Sequence, residues 1–527
     1  MRARIISNEW IYFDNITTHE ESVLWDEFSV SIDTTYIDND QMAWDGVYRK
    51  YNRAKKRIAR PLLAMLNKIC KKHNLPLEVV DEREPWEYKA WNADDVHKDI
   101  LPGISLDDHQ VRAIKKACKS DCGIIDVPTG GGKTEIACGI CRVIDCPTVV
   151  IAEQKVVIDQ FKERLELRKL DEEIGLFYAG EKPNGQKIVV GSIQSLQTPP
   201  KIRPKPSKKE DQSDKNYKDS LKRWENSVKA YKTRLKNAKY LQEYVKKAEM
   251  VIVDECDLAT SKPYKNLFRH YFKGRKRFGF SGTPFDESKP VEALVVQEHL
   301  GSVISKETRA NLVKIGRIIS CDYNMIAIGP FDGIRDSSTY DIARQEHMVE
   351  NDKFHKLIAS IAKKYKGDGT LVLVDREPLG FSLIEAIEEV GLSAAFIYGK
   401  TPKKQRSESI KRFENREIDV LIGGKIVNRG LDLKGGCENL IIATGGKLRS
   451  EFEQKIGRAL RRNKKGHSRV FDFYFRCNKH LYKHSKARLQ VMTSLNYETK
   501  VIFPGGTIDG KKLINQNFRV SKKFFAK

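Results

Sequence analysis

The stretch that most constrains this chain is Ile124-Ile125-Asp126-Val127-Pro128-Thr129-Gly130-Gly131-Gly132-Lys133-Thr134, an apolar run that breaks into three glycines and a Lys-Thr pair. Residues 135–140 continue with helix formers, so the pattern predicts a strand, a tight turn and a helix start. Successive glycines let backbone N–H groups turn inward toward phosphate oxygens, and the following helix adds the positive end of its dipole. In that frame Thr129, Gly130, Gly131 and Gly132 line a phosphate cradle. Lys133 reaches the β- and γ-phosphates, and Thr134 sets its hydroxyl on Mg²⁺. Val127 stands where the strict phosphate-loop pattern has glycine.

A second acidic motif fits the first. The apolar run Met250 to Val253 ends in Asp254, Glu255 and Asp257. Asp254 at a strand end can hold Mg²⁺ through water, and Glu255 can orient and deprotonate an attacking water. Upstream of the loop, Gln110 carries an amide that can accept from adenine N6 and donate to N7. Strands and helices alternate between and around these motifs, at 148–152, 155–170 and 187–196, which argues a parallel sheet covered on both faces. Ligands collect at the carboxyl ends of such strands. Gln154, Ser192 and Gln194 are therefore candidates for contacts to a nucleic-acid strand, and Ser281 and Thr283 for coupling that groove to the nucleotide.

The formal net charge of +24 asks for a polyanionic partner, with nucleic acid first among them. Ten scattered cysteines, mostly in apolar segments, read as reduced core thiols rather than a zinc set. No uninterrupted apolar run reaches membrane-spanning length, so a soluble, cytoplasmic protein with no membrane partner is expected. Residues 1–98 carry short alternating segments and a helix-like stretch from Pro61, which suggests a small α+β accessory domain. Arg49, Lys50 and Arg53, beside Trp44, Tyr48 and Tyr51, either grip a phosphate backbone or form a solvated run next to buried aromatics. Residues 199–249 read as an insertion, a basic loop followed by one or two helices, fit for contacting DNA or merely solvated. The basic residues 481–527 suit either a disordered tail or a docked closing helix.

From about 319 the same strand-helix grammar repeats without a phosphate loop. This part supplies Gly424, Lys425, Arg429, Gly430, Asp432 and then Gln454, Arg458 and Arg461. On a helix the last three share one face, which can present an amide and two guanidinium groups to a triphosphate or bind nucleic acid.

Taken in order, Gln110, Pro128 to Thr134, Ser192 to Gln194, Asp254 to Asp257, Ser281 to Thr283, Arg429 to Asp432 and Gln454 to Arg461 resemble the motif set of superfamily 2 helicases. Gln454 stands where DEAD-box proteins have histidine, and Ser281-Gly282-Thr283 replaces their Ser-Ala-Thr. The DNA-directed members fit better. Within them, Trp44-Asp45-Gly46 and Tyr51-Asn52-Arg53 look similar to the family of the bacteriophage UvsW helicase, whose members remodel branched DNA. The resemblance implies an α/β fold of two RecA-like parallel-sheet domains, 99–318 and 319–480, after the accessory domain, with ATP and Mg²⁺ as cofactors. It implies catalysis by Lys133, Asp254, Glu255, Gln454, Arg458 and Arg461, and ATP contacts from Gly430 and Asp432. It implies DNA contacts from Arg376, Gly424 and Lys425, and an ATP-dependent DNA helicase acting as a monomer on forks, junctions and D- or R-loops. His109 before the glutamine, Glu153-Gln154 after the second strand and Gly423-Gly424 depart from that family's pattern. A plain duplex translocase, an RNA helicase and an inactive DNA-binding scaffold are the alternatives.

Overall fold

Two parallel sheets, each made from short apolar runs buried on both faces, carry most of the computed structural model. It describes all residues except 33–45, 89–90, 172, 179, 209–212, 286–288, 330–335, 425–432, 434–435, 447–455, 458–462, 464, 495–496 and 516–527. The chain divides into two compact units. One comprises Met1–Pro128 with Gly132–Glu307; the other comprises Thr308–Lys527 with the short piece Thr129–Gly131.

The first unit is built on a seven-stranded sheet in the spatial order Val303–Lys306, Cys122–Asp126, Lys276–Ser281, Met250–Asp254, Thr148–Ala152, Ile188–Ser192, Gly175–Phe177. Every neighbouring pair is parallel. Parallel strands must be covered on both faces, which is why residues such as 148–152 show no polar alternation. The helices Asp108–Cys118, Lys133–Ile144 and Lys155–Leu167 pack with one face of the sheet around Ile125, Ile136 and Val150. Cys138, Cys141 and Cys146 lie within that core as thiols, and burial pushes each of them up. The insertion forms one helix, Asp214–Lys246, whose last turns pack through Leu241 and Val245 on the other face.

The N-terminal residues form a four-stranded sheet, Arg57–Ala59, Trp10–Asp14, Arg2–Ile5, Glu78–Asp81, with helices Thr18–Glu27 and Leu63–Lys72. Thr17 and Glu20 close a capping box on the first of these helices. Leu294, from the helix Pro290–Leu300 beside the seven-stranded sheet, joins this small core.

The second unit has eight strands in the order Ala394–Ile397, Val420–Gly423, Thr370–Val374, Asn439–Ala443, His467–Phe475, Ser320–Ile328, Glu498–Phe503, Gly506–Asp509. Only the last pair is antiparallel. Of the two endings left open by the sequence, the described part is the docked one. Leu489 and Met492, on the helix Lys479–Ser494, and Val501 and Phe503 on the next strand sit in the second core. Among the described residues no helix is long and apolar enough to cross a membrane.

Candidate nucleotide site and nucleic-acid interface

Three strand ends meet at the carboxyl edge of the first sheet. Asp126 pairs with Ser281 and Asp254 pairs with Phe280, so the strand ending at Ser281 lies between the phosphate loop and the acids. The loop leaves that edge anchored, because the Val127 N–H donates to the Ser281 carbonyl at 3.0 Å. Gly130 and Gly132 take φ of +87° and +82°, and Gly132 caps the helix that begins at Lys133. A side chain at Gly132 would be doubly opposed. Its backbone is left-handed, and a Cβ there would come to 2.1 Å from Gln110 Nε2.

Gln110 is therefore held against the phosphate loop. Its Oε1 accepts from the Asp107 N–H at 2.9 Å in a capping box, and the residue is buried. The capping pattern Asp107-x-x-Gln110 was readable in the sequence; its approach to Gly132 was not, since the two meet only through tertiary packing.

The acids sit where their charge is costly. Burial first, and the neighbouring Asp254 second, push the Glu255 carboxyl up to about 7, while Lys133 opposes the shift. Asp254 and Asp257 are raised for the same leading reason, and Lys133 acts on both. Glu255 is also one of few non-glycine residues with positive φ, at +51°. A carboxylate held in that conformation is strained, and strain of this kind collects at functional sites. Asp254 Oδ1 is buried with no hydrogen-bond partner among the described residues. An orphaned carboxylate oxygen beside Lys133 and within the same acidic cluster fits a divalent cation, with Thr134 in the first turn of the adjoining helix as a second oxygen donor.

The coupling residues form a hydrogen-bonded chain. Ser281 Oγ donates to Asp257 Oδ1 at 3.0 Å and accepts from the Thr283 N–H at 3.1 Å. Tyr264, which no motif marked, is fully buried, feels the charges of Glu153, Asp254 and Glu255, and has no hydroxyl partner among the described residues. Nothing in the local sequence around Tyr264 gives a signal for this.

The expected nucleic-acid contacts separate by exposure. Gln194 is exposed, whereas Ser192 is buried and its hydroxyl accepts from the Gln194 N–H at 3.2 Å, so Ser192 caps the short helix Ile193–Leu196 instead of facing solvent. Gln154 is half-buried at the start of the helix Lys155–Leu167. Lys50 is likewise turned to structural use: its ammonium is buried in an ion pair with Glu298. Arg49 and Arg53 lie over the Trp25 ring, at 4.6 and 4.2 Å from its centroid. In the second unit Arg376 is exposed and bonds Asp341 at 2.7 Å, and the Gly424 N–H donates to the Ile397 carbonyl at 2.8 Å. Trp44, Lys425, Arg429, Gly430, Asp432, Gln454, Arg458 and Arg461 lie outside the described residues.

Two α/β sheets in one chain, with a glycine turn, an acid pair and a serine relay at the edge of the first, have the layout that the sequence motifs lead one to expect of a nucleoside-triphosphate-driven helicase. Comparison with known families agrees. The family described as "Type III restriction enzyme, res subunit" matches residues 103–286, and "Helicase conserved C-terminal domain" matches residues 352–463. These two matches support a superfamily 2 helicase or translocase that uses ATP. Among individual proteins it is similar to the DNA 3'-5' translocase XPB2 of Sulfurisphaera tokodaii, 23% identical over 405 residues, covering 69% of this chain and 81% of that one. It is 26% identical over 122 residues to the ATP-dependent RNA helicase glh-1 of Caenorhabditis elegans, covering 22% of this chain and 16% of that one. A crystal structure of T4 UvsW aligns over 95% of this chain and 98% of its own, with 15% identity and a TM-score of 0.41.

Proposed function

We propose that this chain is an ATP-dependent DNA helicase that unwinds or branch-migrates forked and branched DNA. The choice of DNA over RNA is carried by one observation: the similarity to a DNA translocase extends over 69% of the chain, whereas that to an RNA helicase extends over 22%. Lys133, Thr134 and the backbone of Gly130 to Gly132 hold the triphosphate, with Gln110 bracing the loop and reading adenine. Thr134 and Asp254 would hold Mg²⁺, which would neutralise charge at the phosphates. Glu255, with its raised pKa, takes the proton of the attacking water. Gln454, Arg458 and Arg461 stabilise the charge that develops on transfer, a role worth roughly 10³–10⁵ in rate for an arginine finger. Asp257, Ser281 and Thr283 link the acids to the strand end that carries the nucleic-acid contacts.

The test is Lys133→Ala with ATP turnover and DNA binding measured on the same protein. Turnover is expected to vanish while DNA binding stays; retained turnover defeats the assignment. Comparing single-stranded, duplex, four-way-junction DNA and a matched RNA as activators then selects the substrate. A second reading, movement along duplex without strand separation, is favoured by the word translocase in the name of the XPB2 relative. It predicts equal activation by plain duplex and junction.

A further inference from the structure

The helix Asp214–Lys246 does more than cross the sheet. Only its last turns are buried, through Ala238, Leu241 and Val245; the preceding turns, from Asp214 to Asn237, extend about 36 Å at helical rise with no buried residue. Along this stretch two stripes run side by side. Tyr217, Leu221, Trp224, Val228, Tyr231 and Leu235, spaced alternately by four and three, are all half-buried. Lys215, Lys218, Lys222, Lys229, Lys232 and Lys236, at helical spacing on a neighbouring face, are all exposed. Glu225 is the acid that interrupts this row.

The apolar stripe is half-buried, and at Trp224 the preceding segment covers it. The preceding segment runs beside it with Ile202 and Pro206 half-buried, Trp224 Nε1 donates to the Arg203 carbonyl at 2.9 Å, and Lys208 bonds Asp214 at 2.6 Å. A second copy of the arm would therefore meet an occupied seam and a like-charged row, both unfavourable to a coiled coil. The lysines face outward without ion pairs among the described residues.

We infer that this arm is a second nucleic-acid site, a lysine-faced strut that lies along the phosphate backbone of duplex DNA. Three features select duplex. The row from Lys215 to Lys236 is about 32 Å long at helical rise, close to the ~34 Å of one duplex turn. It is stiff, so it suits a regular phosphate array. Its aromatic residues are turned into the seam, so the base stacking on which single-strand binders rely is absent from the outward face. Binding by charge alone makes the site indifferent to sequence and sensitive to salt. The inference rests on the DNA reading above.

The test replaces Lys218, Lys222, Lys229 and Lys232 together by glutamine, a residue of similar helix propensity at exposed positions. Binding of the full chain to a random-sequence duplex is followed against salt, with ATP turnover measured alongside. The slope of log affinity against log salt is expected to fall by roughly 0.9 for each phosphate that the variant no longer neutralises, about three to four in all. Lys→Arg at the same positions should keep the slope, and turnover without DNA should be unchanged. An unaltered slope in the glutamine variant, with DNA still activating turnover, overturns the arm while leaving the helicase reading intact. Activation of the unmodified protein by RNA and not DNA overturns the reading on which the arm depends.

Discussion

At the scale of single residues the site is a set of charges held against their preference. Glu255 ionises near pH 4.5 as an ordinary side chain and near about 7 when folded, with burial and then Asp254 as the causes. The sign follows from that order. Below about pH 4.5 both states are protonated and stability is unaffected; above it the unfolded chain gives up its proton more readily, and the folded state carries a growing penalty up to about pH 7. Glu255→Gln removes that penalty. Because the side chain is half-buried rather than sealed, the expected gain is about 1–2 kcal/mol, below the full linkage value. Chemical denaturation of the nucleotide-free protein should therefore show the variant more stable at pH 8 and equal near pH 4.5, while ATP turnover is abolished at every pH. A variant less stable than the parent at pH 8 would mean that the carboxylate makes a favourable interaction that outweighs its burial.

At the scale of elements one carboxylate gathers cations from both the N-terminal part and the large sheet of the first unit. Asp121, just before the strand Cys122–Asp126, takes Arg60 and Arg83 from the N-terminal part and Arg275 and Lys276 from the edge of the motor sheet. Burial works to raise its pKa, and these cations overcome it and hold the carboxyl well below the usual range. Such an acid loses its stabilising charge only as pH falls below the unfolded value near 3.8, so its contribution is constant across neutral pH. Asp121→Asn leaves several buried cations uncompensated and should cost about 3 kcal/mol in denaturant unfolding at pH 7. A loss under about 1 kcal/mol would show that solvent already screens the cluster.

None of that junction was legible in the chain, because Asp121, Arg60 and Arg83 belong to no periodic pattern and meet only through tertiary packing. The strands of both sheets were legible for the opposite reason. Runs such as 149–152, 250–253 and 371–374 are apolar throughout, as strands buried on both faces must be, and each is followed by an acidic residue. Sequence also marked Lys50 and Ser192 as surface contacts. Their neighbours in space, Glu298 and the Gln194 backbone, turn them to structural use, and neither partner can be inferred from charge or motif alone.

At the scale of the whole molecule the excess of 24 positive charges decides how nucleic acid is found before any motif acts on it. An excess this large attracts phosphate from a distance, and its effect is screened over about 10 Å at 0.1 M salt. Where binding energy comes from phosphates, bases contribute little discrimination, so unrelated duplexes should activate turnover alike. Release of condensed counterions then makes the activation salt-dependent: with six to ten phosphate contacts, the DNA concentration needed for half-activation should rise roughly 10³–10⁵-fold between 50 and 200 mM salt. The measurement is ATP turnover against DNA concentration for three unrelated duplex sequences at each salt. Curves that shift together with salt and coincide across sequences support backbone recognition by the whole basic surface. Curves that separate by sequence while resisting salt would mean that base edges are read, and that the charge serves solubility instead.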